Sequence, residues 1–145
     1  MYKRQLKNQG RQHLAAGAYL KMGYRVAQTV LFVLGEETYH RGPAIAGAKQ
    51  IDSRTIDVRI EHRGGTDFTP LSDMTGWEVL SNDIASPLTR VFRHDPQTIR
   101  IELERPVAQK TVIRYLYGAM PDTVRPVVDN SAMSLPLEEG HAKVK

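Results

Sequence analysis

Residues 111–137 read TVIRYLYGAMPDTVRPVVDNSAMSLPL, and the two halves of this stretch follow different rules. Val112, Ile113, Tyr115, Leu116 and Tyr117 form an apolar run broken only by Arg114 and closed by Gly118. The run is short for a helix, and its β-branched and aromatic residues suit a strand covered on both faces. Residues 119–134 then hold Pro121, Asp122, Pro126, Asp129, Asn130 and Ser131. Such residues fix φ or hydrogen-bond the local backbone. An irregular loop of this length in a compact domain serves a function or is pinned by its own side chains. Leu135-Pro136-Leu137 then returns the chain to apolar cover.

Working outward, the same β signal recurs. Ile56, Val58 and Ile60 alternate with Thr55, Asp57, Arg59 and Glu61, and Ile99, Ile101 and Leu103 alternate with Arg100, Glu102 and Glu104. A period of two predicts half-buried strands with wet outer faces. Trp77, Val79 and Leu80 mark a short strand after Gly76, and residues 88–93 mark another. Residues 36–43, 62–67 and 94–96 are turn-rich connectors. Before them, residues 12–34 change period. Ala15, Tyr19, Met22, Val26, Val30 and Val33 make one helical stripe, and Leu20, Ala27, Leu31 and Leu34 widen it. Gly35 fits a C-cap. Residues 30–34 are apolar on every side, so that end is predicted to be buried. The fold class expected is mainly β, a small antiparallel β-sandwich preceded by one amphipathic N-terminal helix. The divisions read as a basic arm (1–11), the helix (12–35), the sandwich (36–139) and a flexible tail (140–145).

Composition excludes several classes. At 145 residues, 41% hydrophobic and 25% charged, the chain has the balance of one ordinary soluble domain. It has no apolar run long enough to span a membrane and no apolar segment of secretory type at its start. Cysteine is absent, which removes disulfides and thiolate metal sites. The net charge of +4 sits in one place: without Lys3, Arg4, Lys7 and Arg11, the 20 basic residues become 16, equal to the 16 acidic ones. A charged arm is a solvated segment, not the basic face with interleaved aromatics that nucleic acid needs. No nucleic-acid partner is expected.

The order of features in the opening stretch resembles a known arrangement. A strand with Arg114-Tyr115 and Tyr117 leads to Gly118, Pro121-Asp122, a valine-rich step, Asp129-Asn130-Ser131 and Leu135-Pro136-Leu137. This resembles the terminal β domain that follows the catalytic domain in sialate O-acetylesterase-like SGNH hydrolases, most closely the phage- and prophage-type members. The resemblance extends over nearly the whole chain. Residues 10–27, GRQHLAAGAYLKMGYRVA, are similar to the last conserved block of those enzymes. His13 matches their catalytic histidine, and Ala16-Gly17, Tyr19 and Met22-Gly23 match the helix after it. The acid that orients that histidine should stand at position 10, which is Gly10. The family's Gly-Asp-Ser nucleophile block and oxyanion-hole blocks have no counterpart among the twelve residues before His13. A histidine without nucleophile, oxyanion hole or orienting acid does not cleave esters. The chain is therefore expected not to be an enzyme, with His13 vestigial.

The other histidines, His40, His62, His94 and His141, show no metal-ligand spacing, and no metal or cofactor is expected. Asp129 and Asn130 are read as hydrogen-bonding their own loop. Sugar recognition needs an aromatic platform with a few polar groups around it. Trp77 shares a strand face with Val79 and reads as core. Tyr39 and Phe68, in turn-rich stretches, are the candidate platforms, with His40, Arg41, Arg63, Asp67, Asp122 and Arg125 as polar companions. The resemblance implies an accessory module that recognises acetylated or capsular glycans, in a virion tail or head spike or otherwise outside the cell, with a protein partner or a homo-oligomer. Two alternatives stand beside it. The chain could complete a split esterase by supplying His13 in trans, or act as a purely structural assembly protein docking through its helical stripe.

Overall fold

The computed structural model describes residues 16–36, 41–118, 121–132 and 134–145. The chain divides into two units, Met1–Arg41 and Gly42–Lys145.

The first unit contributes helix α1, Ala16–Leu34. Its end is a Schellman closure: Gly35 takes φ 79°, its N–H bonds the Phe32 carbonyl at 3.1 Å, and the Glu36 N–H bonds the Leu31 carbonyl at 2.9 Å. Glycine reaches that φ without a Cβ clash, so the expected cap is the one observed. Burial of residues 30–34 is not what the structure shows. Val33 and Leu34 are 77% and 68% exposed, and Val30, Leu31 and Phe32 are exposed as well. Apolar periodicity reports a surface that gains from cover, without specifying which molecule covers it. No helix among the described residues is long and apolar enough to cross a membrane.

The second unit is a β-sandwich. One sheet runs in the order β1 (Ala44–Gln50), β2 (Thr55–Glu61), β7 (Thr98–Leu103), β6 (Leu88–Asp95), with every neighbour antiparallel. The other runs β10 (Gly140–Lys143), β8 (Thr111–Tyr115), β4 (Trp77–Ser81), β5 (Ile84–Ser86), again antiparallel. A two-residue ribbon joins β3 (Phe68–Thr69) to β9 (Val128–Asp129). The alternating residues meet as their spacing requires. Ile56 lies opposite Ile101 and Val58 opposite Ile99, and all four are 0% exposed. Val79, Ile113 and Tyr115 close the core from the second sheet. On the opposite face of β2 and β7, Asp57 and Arg100 are register partners and form a two-pronged ion pair at 2.7 and 2.8 Å. Glu78 and Arg114 repeat this across β4 and β8 at 3.6 Å. Strand β8 has a buried face and a half-buried one that carries Arg114, so it is less covered than its apolar run predicts.

Residues 140–145 are not a flexible tail. Strand β10 pairs with β8 along Gly140–Lys143, the Val144 N–H bonds the Thr111 carbonyl at 2.9 Å, and Val144 bridges Ala48 in parallel. Gln50 N–H and the Lys145 carbonyl (3.0 Å), with Lys145 N–H and the Ala48 carbonyl (3.1 Å), complete the join to β1. Ala142 and Val144 turn inward onto the core while His141, Lys143 and Lys145 face out. This end therefore laces the two sheets along one seam.

Candidate functional site

Most of the polar groups expected to read a sugar hold the fold together. Arg63 binds Glu138 at 3.0 Å and donates to the Gly42 carbonyl at 3.3 Å. Both carboxylate oxygens of Asp67 are held by Arg93, at 2.7 and 2.8 Å. That guanidinium keeps the Asp67 carboxyl below its ordinary value. Phe68 is no platform, because it is 1% exposed and stacked on His62 with 5.9 Å between ring centres. The β3–β9 ribbon pulls it into the core, and a two-residue strand is too short to show a period in sequence. Arg41 is exposed. Tyr39, His40 and His13 lie outside the described residues. Asn130 behaves as its loop position suggests: its Oδ1 accepts from the N–H groups of Thr66 (2.8 Å) and Asp67 (3.1 Å). Asp129 likewise serves its own loop.

Asp122 and Arg125 have a different setting. Arg125 N–H donates to Thr75 Oγ1 at 2.9 Å, Thr75 N–H donates to the Arg125 carbonyl at 3.0 Å, and the Arg125 guanidinium reaches Asp73 at 3.3 Å. These bonds lay the loop after β8 along the segment that enters β4. From the other side, the Tyr115 hydroxyl accepts the Val127 N–H at 2.8 Å inside the core. Gly76 makes the close approach workable. Its φ is 90°, and a Cβ there would lie 2.7 Å from Leu116 Cδ2.

The result is a cleft of about 490 Å³ between the 73–78 segment, strand β6 and the residues Tyr117, Pro121 and Asp122. Asp73, Glu78, Asp122, Thr75, Thr89 and Arg90 are among its lining residues; Asp73 also pairs with Arg125 and Glu78 with Arg114, while Asp122 Oδ1 accepts the Val124 N–H at 2.9 Å. Its aromatic is Tyr117, 53% exposed, with the Arg114 guanidinium 4.3 Å from the ring centre. Trp77 belongs to the core: it is 9% exposed, and its ring lies 4.6 Å from that of Tyr115, although it also borders the cleft. Its Nε1–H is buried and makes no hydrogen bond among the described residues. Carboxylates accept pairs of hydroxyl protons, and an exposed ring accepts the apolar face of a pyranose. No serine, cysteine or histidine lines this cleft among the described residues.

Sequence reasoning named Asp122 as a companion of Tyr39 and Phe68, not of the residues that line this cleft. Asp73 and Asp122 stand in turns like many other aspartates, and Glu78 reads as an ordinary outward strand residue. Only the β4–β8 pairing and the bonds between Thr75 and Arg125 bring them together.

The solved structures similar to this one include a carbohydrate acetylesterase and a bacterial S-layer protein. A novel carbohydrate acetylesterase from Xanthomonas citri, XAC1771, matches with a TM-score of 0.69 and 16% identity, covering 95% of this chain and 31% of that protein. The bacterial S-layer protein SbsC matches at 0.50 and 10% identity, covering 91% of this chain and 17% of the other. At these identities the likeness is one of fold. No protein-family model and no curated protein matches the chain. The chain spans under a third of the acetylesterase, and its fold is similar to that part of a carbohydrate-acting protein.

Proposed function

We propose that the chain is a non-catalytic accessory module that recognises glycans through the Tyr117–Asp122 cleft. The observation that carries this reading is the lining: one exposed ring and three acidic residues, with no serine, cysteine or histidine among the described residues that line the cleft. Similarity to part of a carbohydrate acetylesterase supports the ligand class, and the sequence resemblance adds acetylated sugars as the first ligands to try. Neither matched structure is a phage protein, and the proposal makes no use of a virion setting.

An array of O-acetylated sialosides and N-acetylhexosamine oligosaccharides, probed with the full chain, tests it. Tyr117→Ala and Asp122→Ala should each weaken binding about tenfold, the cost of roughly 1.4 kcal/mol of contact. Wild-type chain that binds nothing on the array removes the proposal. Turnover of p-nitrophenyl acetate that disappears in His13→Ala would overturn the non-catalytic reading.

A second reading concerns α1. Tyr24, Val26, Val30, Val33 and Leu34 are exposed, an apolar density that marks a contact surface. Here the helix is the part that docks on a catalytic body, while the sandwich carries the glycan. Light scattering should show self-association of the isolated chain that Val30→Glu/Val33→Glu abolishes. A wild-type chain that stays monomeric at high concentration contradicts this second reading.

A further inference from the structure

A second cavity, larger than the cleft, lies elsewhere in the sandwich, at the seam where edge strand β1 meets β10. It is a trough of about 850 Å³, within the range of ligand sites (about 300–1,000 Å³). Ala46, Gly47 and Ala48 line it along β1. A Cβ built on Gly47 would meet no atom within 4 Å, so the space above this strand is open. The β1 edge kinks here, at a register shift between Ile45 and Gly47.

The walls are cationic. Lys49, Arg59, Lys143 and Lys145 line the trough, and none joins an ion pair among the described residues. Two carboxylates face them. That of Asp57 is cancelled by Arg100, which grips both of its oxygens at 2.7 and 2.8 Å. That of Asp95 accepts the Gln97 N–H at 2.7 Å and is not cancelled. Among the lining side chains, four cations face one uncompensated acid, so the side-chain charge over this cavity is positive. Past Arg59 the groove continues to Glu61 and His62, where the excess ends. Among the described residues, no Phe, Tyr or Trp lines the trough. Neutral sugars and unstacked nucleobases, which are gripped by aromatic faces, therefore find no platform in it. What it offers is a row of flexible cations beside an open strand.

We infer that this trough binds an acidic polysaccharide, a run of uronate residues whose carboxylates meet Lys49, Arg59, Lys143 and Lys145. The inference takes its ligand class from the glycan reading above and adds a separate site to it. Because the cations are exposed to water, the attraction is screened by salt.

The probe is polygalacturonate, with its fully methyl-esterified form as a polymer of the same backbone without charge, and a DNA duplex as an unrelated polyanion. By affinity electrophoresis or calorimetry, the full chain should bind polygalacturonate, lose most of that binding between about 0.05 and 0.5 M salt, and ignore the methyl ester. Lys143→Ala/Lys145→Ala should weaken it about tenfold. Gly47→Phe, which sets a ring over the trough without changing charge and whose Cβ meets no atom within 4 Å, should weaken it as much while leaving the thermal midpoint near that of wild type. Tyr117→Ala should leave it unchanged. Absence of polygalacturonate binding, equal affinity for the methyl ester or the duplex, or loss of binding in Tyr117→Ala would each overturn the inference. Binding to the uncharged N-acetylhexosamine oligosaccharides of the array without polygalacturonate binding sinks the trough alone, and the reverse pattern sinks the cleft alone.

Discussion

Replacing Asp129 by alanine removes the acceptor around which the last loop is wound. Asp129 is 2% exposed, and its Oδ1 accepts from Ser131 Oγ at 2.6 Å, from Leu135 N–H at 2.7 Å and from Ser131 N–H at 3.3 Å. Leu135 is itself 2% exposed, so its N–H has no access to water when the carboxylate is gone. A buried donor left unsatisfied costs about 1–3 kcal/mol, and a hydrogen bond to a carboxylate contributes about 1.5–3 kcal/mol. With the most exposed of the three bonds discounted, the alanine variant should lose about 3–5 kcal/mol. That is a large part of the 5–15 kcal/mol typical of a domain. Asparagine keeps the Oδ1 acceptor and alters mainly Oδ2, which makes no hydrogen bond among the described residues. Asp129→Asn should therefore cost less, about 1–2 kcal/mol. Urea unfolding of both variants, with the slope checked for constancy, measures the difference. An alanine variant within about 1 kcal/mol of wild type, or an asparagine variant as damaged as alanine, would refute the reasoning.

Tyr115→Phe strands the Val127 N–H and should cost about 1–3 kcal/mol in the same assay. Burial pushes the Tyr115 hydroxyl above its ordinary 10.0, so its contribution is complete below pH 10 and is lost as pH rises toward the folded value. The alkaline fall in wild-type stability should be shallower in Tyr115→Phe. The Asp67 carboxyl is depressed by Arg93, so its contribution is present above 3.8 and disappears as pH drops below it. The stability gap between wild type and Arg93→Met should accordingly narrow on acidification; a constant gap would deny the coupling. Ending the chain after Glu139 deletes β10, leaves the β8 edge unpaired and removes Ala142 and Val144 from the core. It should lower stability by at least about 2 kcal/mol, and an unchanged midpoint would restore the flexible tail.

How much of this was legible depends on contrast between neighbouring side chains. Strands β2 and β7 announce themselves because Ile56, Val58, Ile60, Ile99 and Ile101 alternate with charges. Strand β1 hides, since AIAGAKQ is built of small residues that give little apolar contrast. Strand β5 hides behind a two-residue turn in which Asn82 and Asp83 both take positive φ, 52° and 65°, the geometry of a tight hairpin. Strand β10 does carry a period of two in His141-Ala142-Lys143-Val144-Lys145, but its polar half reads as a solvated end. Asp122 could be singled out from its proline-marked loop. Its companions could not, because Asp73 and Glu78 lie more than forty residues earlier and join it only through sheet pairing and the Thr75–Arg125 bonds.

The chain has one tryptophan, and it borders the cleft. Its indole N–H resonance in the nitrogen-15 labelled chain is therefore a single reporter of cleft occupancy. Titration with the best ligand from the array should shift the Trp77 indole signal together with the backbone signals of Thr75, Gly76, Tyr117 and Asp122. An unmoved indole, with shifts confined to other surfaces at saturating ligand, would contradict sugar recognition in this cleft.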